Sequence, residues 1–224
     1  MLSDSLPRSA CVTGAAALLL GLTVTSPSVA AADSSSSPFP GLELVDSKNV
    51  DRLYRRPDLD VSAYGKILIG EPVVEFSKNW NPRNYGTYGL SAAQLKKIRV
   101  DLADLAKATF VKVLGAGGYE VVTEAGDGVL EIIPSIVNLY INAPDTMTAG
   151  RSKTYAMDAG SMTLALRVSD SVTGTLLAVV YDHKRDSSGR MQWATSASNR
   201  AAASRTLTGW AEQLKRELDA ARAK

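Results

Sequence analysis

Asp182-His183 is the one place where an imidazole stands beside a carboxylate, because His183 is the single histidine of the chain. That pairing is the usual beginning of acid–base or nucleophilic chemistry, with the imidazole moving a proton and the acid orienting it. The companions such chemistry needs are missing from the sequence. No G-x-S-x-G elbow and no S-x-x-K pair supplies an activated serine. A zinc site would have to be built from His183 and carboxylates, without the H-E-x-x-H spacing that puts two imidazoles on one helix face. The expectation is therefore a solvated His183, with no catalytic residue, no metal and no cofactor.

Carboxylates that lie close in sequence are the next candidates: Asp58 with Asp60, Glu71 with Glu75, and Asp101 with Asp104. Two carboxylates divide acid and base roles only when their environments separate their pKa values. Asp101 and Asp104 alternate with lysines on one helix flank, which reads as a solvated face. Gly115-Ala116-Gly117-Gly118 looks like a nucleotide loop, but it closes a helix where a dinucleotide fingerprint would open one. Recognition is better served by the loop NWNPRNYGTY, residues 79–88. Its Trp80, Tyr85 and Tyr88 offer broad, stiff contact area, and Arg83 offers directed hydrogen bonds. These four are the candidate binding residues. The bland alternative is that Trp80 and Tyr85 plug the end of a sheet. Arg151 and Lys153, in TAGRSKTY, read as part of a solvated loop.

Composition narrows the class. The 224 residues are 45 % apolar and 21 % charged, and 25 basic residues against 23 acidic ones give a formal charge of +2. Charges of both signs are interspersed, and no basic run marks nucleic acid or a polybasic membrane patch as a partner. Arg8 precedes an apolar run from Val12 to Val24, and small residues at Ser28–Ala32 offer a cleavage site, so residues 1–32 read as a signal peptide. Export to the periplasm or beyond is the expectation, with no transmembrane segment after cleavage. Cys11 lies before the apolar run, whereas a lipidated cysteine follows one. Removal of the leader leaves a mature chain with no cysteine and no disulfide chemistry.

Residues 33–62 form a Ser/Pro-rich linker and an extended arm, and 63–224 form a single domain. Within that domain, Tyr64–Phe76 reads as a strand interrupted at Gly70-Glu71-Pro72, where proline cannot donate to a ladder. Ser91 and Gln94 make a capping box ahead of a helix whose apolar stripe runs Leu95, Ile98, Leu102, Leu105, Thr109. Tyr119–Val122 and Val129–Asn142 are strands, the second interrupted or bulged at Pro134, and Ala143–Asp158 is a polar excursion. From Ser161 to Arg185, apolar Met162, Leu164, Leu166 and Val168 alternate with polar or small residues, Ser171–Gly174 punctuate, and Thr175–Tyr181 resume an apolar, β-branched run. That period of two predicts a hairpin with Gly174 at positive φ. Asp186–Arg190 read as a loop, and a second helix follows from about Asn199 to Ala223. The fold class is α+β, a two-layer sandwich: a largely antiparallel sheet of four or five strands with two helices on one face.

The segments YRRPDLDVSAYGKILIGEPVVEF and AGSMTLALRVSDSVTGTLLAVVYD, with the amphipathic helix between them, resemble bacterial envelope proteins grouped as domain of unknown function 3313. The resemblance runs from about Leu42 to Leu218. It implies an exported α+β domain, similar to periplasmic lipoprotein-like proteins but without a lipidation cysteine. It implies no reaction, and no catalytic residue carries over. The expected role is a non-enzymatic envelope protein that acts as an interaction or assembly module, with an envelope partner or a second copy of itself. A small-molecule or lipid-binding periplasmic protein is the alternative.

Overall fold

The computed structural model describes residues 37–84, 89–141, 155–193 and 196–223, with backbone alone at 155–159, 186–193 and 196–198. The leader, the start of the linker, Tyr85, Tyr88 and most of the 143–158 excursion lie outside the described residues.

Its centre is the alternating hairpin. Strands β7 (Tyr155–Asp170) and β8 (Leu176–Trp193) pair antiparallel, and Met162, Leu164, Leu166 and Val168 are all buried on one face. Gly174 takes φ +68° in the turn, as the sequence predicts. Asp170 organises that turn. Its Oδ1 accepts the backbone N–H groups of Val172 (3.1 Å) and Thr173 (2.8 Å), and these bonds hold its carboxyl below the usual aspartate range.

Six further strands complete an open sheet: β1 (Glu43–Val45), β2 (Arg52–Arg55), β3 (Lys66–Ile69), β4 (Val74–Phe76), β5 (Glu120–Val122) and β6 (Val129–Ile141). Their order is β1-β2-β8-β7-β6-β3-β5, and β4 also pairs with β6. This corrects the expectation of four or five largely antiparallel strands: among the described residues the sheet has eight and is mixed. The reason is the 25-residue helix α1 (Ala92–Ala116), which stands between the first strands and β5–β6. A strand, a crossover helix and a returning strand lie parallel, and β3 runs parallel to both β5 and β6. The arm is also more ordered than expected, since β1 and β2 extend the sheet beyond β8.

The interruption at Gly70-Glu71-Pro72 falls between β3 and β4. Gly70 donates to Ile132 O, and Ile136 donates to Val73 O. Pro134 lies midway between those two contacts, so its missing N–H faces the gap and costs no ladder bond. Pro134 therefore stays in register, opposite Leu166. The irregularity in β6 comes later, between Val137 and Tyr140, around Asn138 at φ +53°. The polar stretch after Arg185, expected as a loop, continues β8 to Trp193.

Ser91 caps α1 in the predicted box: its Oγ accepts Gln94 N–H, and Gln94 Oε1 accepts Ser91 N–H at 2.8 Å. Gly118 ends the helix at φ +89°, a left-handed position suited to glycine. Helix α2 (Ser196–Arg222) packs against α1, and both share a core with Ile67, Leu130, Ile132, Leu164 and Leu166. Phe110, Leu114 and Leu207 are fully buried there. Each such side chain contributes about 1.5–3 kcal/mol by leaving water. A smaller cluster, Leu42, Tyr54 and Val179, covers the opposite face near β2, where Phe39 meets Tyr54 edge to face at 5.3 Å. No helix among the described residues is long and apolar enough to cross a membrane.

Candidate functional site

Alternation along β8 separates the one acid–base pair that the sequence offers. Asp182 points into the core, 1 % exposed, where its Oδ2 accepts the indole N–H of Trp210 at 2.6 Å. Lys184 Nζ reaches the same oxygen at 3.0 Å. His183 points the other way and is exposed. Its Nδ1 lies 3.1 Å from Thr163 Oγ1, and its backbone N–H donates to Asp51 Oδ2 at 2.8 Å. Consecutive strand residues project to opposite faces, so acid and imidazole do not meet across a shared site.

One carboxylate of each of the other pairs is taken up in a local role. Asp60 Oδ1 accepts Ser62 N–H, and bonds from Ser62 lower its pKa. Glu71 pairs with Lys107, and Asp101 with Lys97 one helical turn away at 2.9 Å. Among the described residues, no group of three His, Cys, Asp or Glu is placed to hold a metal ion.

In the aromatic loop, Trp80 is buried. Its ring stacks on Phe76 at 4.5 Å and 13°, its indole N–H donates to Ile141 O at 2.9 Å, and Arg99 sits 5.0 Å over Phe76. Trp80 thus joins the end of β4 to the end of β6. Arg83 is exposed on a 3-10 turn, Pro82–Asn84, where its backbone N–H donates to Asn81 Oδ1. Leu90 N–H donates to Pro82 O and closes the loop base.

Tyr119, Asp219 and Arg222, which sequence reasoning did not single out, form a second polar cluster. The Tyr119 hydroxyl donates to Asp219 Oδ1 at 2.6 Å, and Arg222 lies 4.4 Å over the Tyr119 ring while bonding Tyr64 O. Lys215, and then the Tyr119 hydroxyl, hold Asp219 below the usual aspartate range. Burial, then the bond to Asp219 and its charge, push the Tyr119 phenol up to about 12. The folded protein therefore keeps a proton that an unfolded tyrosine loses near pH ~10. The resulting stability is complete below about pH 10 and disappears as pH rises through about 12. Urea unfolding across pH 9–12 is expected to show falling stability, with a shallower fall in Tyr119→Phe. An unchanged slope would show that Tyr119 does not carry the effect.

A further surface without an assigned role is the sheet face turned away from the helices. Register places Glu131 beside Ser169, Ile133 beside Arg167, Val137 beside Thr163, Thr163 beside His183, and Tyr181 beside Arg52. Ile133, Val137, Ala165 and Tyr181 are half-buried, and Arg52, Arg167, His183 and Arg185 are exposed. Ser169 Oγ donates to Glu131 Oε2 at 3.2 Å. Val73 is 56 % and Tyr140 is 37 % exposed. Val73 follows the alternation outward from buried Val74, and its N–H donates to Ser135 Oγ. The structure thus offers a mixed polar and apolar surface with no convergent acid–base set.

Among curated proteins, none matches the chain. Similar solved structures include the PelC dodecamer from Paraburkholderia phytofirmans, at 9 % identity and TM-score 0.34, covering 70 % of this chain and 93 % of that one. Protein XCC0632 from Xanthomonas campestris, of family DUF330, is 15 % identical with TM-score 0.38, covering 71 % and 86 %. A DUF4136 family protein from Bacteroides thetaiotaomicron is 10 % identical with TM-score 0.33, covering 80 % and 97 %. The sequence profile of the proteins of unknown function DUF3313 matches residues 35–214, most of the chain, and the protein belongs to that family.

Proposed function

We propose that the chain is exported and works in the cell envelope as a non-enzymatic interaction module, with the helix-free sheet face as its contact surface. The observation that carries this reading is the exposure of Val73, just before β4, and of Tyr140, near the end of β6, on the side of the sheet away from the core. Exposed apolar side chains on an open face gain by being covered, and a partner surface covers them best. The apolar leader supports export, and the separation of Asp182 from His183 supports a role without catalysis.

Size-exclusion chromatography with light scattering, and pull-down of envelope extracts, test the reading on mature chain. Self-association or a defined envelope partner is expected, weakened at least tenfold by Val73→Asp at unchanged melting temperature. A strict monomer with no partner would overturn it. Lipid or ligand copurifying in native mass spectrometry would favour a small-ligand carrier instead.

A further inference from the structure

Arg52, Arg167 and Arg185 are far apart in sequence, and the fold brings them to one face. Arg52 on β2 stands opposite Tyr181, and Arg167 on β7 stands opposite Val179, two residues along β8. Arg185 follows on β8 itself, past His183. At about 3.3 Å per residue and about 4.8 Å between strands, these cations span roughly 20 Å of this face.

Their pairing is as informative as their placement. All three are exposed, and among the described residues none has a carboxylate within ion-pair distance. Glu131, opposite Ser169, accepts from its hydroxyl, and Asp51, next to Arg52, accepts the backbone N–H of His183. Lys66, further out on this face, is paired with Glu120 at 3.4 Å. Tyr181, half-buried among the arginines, gives the patch an aromatic ring with a polar tip.

From this arrangement we infer that the arginine-bearing half of the face docks on the anionic phospholipid surface of an envelope membrane. The inference rests on the proposal that this face is the contact surface, and it names the partner of one half of it. A guanidinium grips phosphate with a planar pair of N–H groups. Cations spread this widely match an array of phosphates better than a single bound anion. Tyrosine, apolar in its ring and polar at its tip, suits the headgroup level of a bilayer.

Co-sedimentation of mature protein with phosphatidylglycerol/phosphatidylethanolamine vesicles tests this, with phosphatidylcholine vesicles as the neutral control. Binding is expected to the anionic vesicles only and to weaken with salt. Each arginine replaced by alanine should lower partitioning about fivefold, and all three together about a hundredfold. Circular dichroism checks the fold of each variant, and Arg167→Lys, which keeps the charge, should retain most of the binding. Wild-type protein that ignores anionic vesicles at low salt, or a folded triple variant that binds like wild type, would overturn the inference. So would retention on soluble polyphosphate without vesicle binding, which would assign the cations to a free polymer. If vesicle binding fails while Val73→Asp still disrupts association, the membrane assignment falls and the interaction-module reading stands.

Discussion

Gly160→Ala is expected to lower the unfolding free energy by about 3–5 kcal/mol, a large share of the ~5–15 kcal/mol that holds a domain together. Gly160 is buried in β7 at φ +132°, where a Cβ would lie 2.0 Å from Tyr140 O and 3.1 Å from Ile141 Cα. Both obstacles are backbone, so no side-chain rotation relieves them. The position has a structural cause. Register shifts on both sides of Gly160, between Val137 and Tyr140 towards β6 and between Asp158 and Gly160 towards β8. The bulge around Asn138 presses β6 against β7, and only a residue without Cβ tolerates the approach. Gly174→Ala is the control: its φ of +68° is also left-handed, but nothing lies within 4 Å of the added carbon. Conformational strain alone should cost it about 1–2 kcal/mol. Urea unfolding of both variants decides the matter. Equal losses would mean that the close approach in β7 contributes nothing beyond φ.

That contrast marks how far the sequence can be read. Gly174 was legible because polar residues separate an alternating strand from an apolar, β-branched one, and a four- or five-residue turn between them calls for a positive φ. Gly160 was not, because its constraint comes from a bulge in a strand about twenty residues earlier. The capping box at Ser91 and the glycine stop at Gly118 are local, and both appear as expected. Parallel pairing of β3 is non-local: alternation says that Lys66–Ile69 is a strand, but not which strand lies beside it. The helix between β4 and β5 carried the clue, since a helical crossover favours parallel return. Strands β1 and β2 were hidden by shortness and charge, and the end of β8 by its polarity, which backbone pairing ignores. Trp80 illustrates the same limit at the candidate loop. Its composition suits recognition equally well with a buried stack on Phe76, and only the fold decides where the ring goes. Arg52, Arg167 and Arg185 converge only once the order β2-β8-β7 is known.

Asp182 was within reach of the period-two rule, which sets it on the same face as Ala178 and Val180, yet its partner could not be named from sequence. Replacing it by alanine is expected to cost about 2–4 kcal/mol, because the Trp210 N–H is left buried without an acceptor. Lys184, half-exposed, loses its partner at smaller cost, since water can solvate it. Asp182→Asn keeps an oxygen at the indole and should lose less, about 1–2 kcal/mol, the difference between a charge-assisted and a neutral acceptor. A double-mutant cycle with Trp210→Phe isolates the contact, with an expected coupling of about 1–3 kcal/mol. Additive losses would show that the 2.6 Å contact in the structure holds nothing together. The double variant Asp182→Leu with Trp210→Phe sharpens the point, since an apolar pair in a buried site can match a polar one in stability. If that protein folds and still engages its partner, the carboxylate serves the joint between β8 and α2 alone. A buried acid then marks how the last helix is fixed to the sheet, while the opposite face remains available for contact.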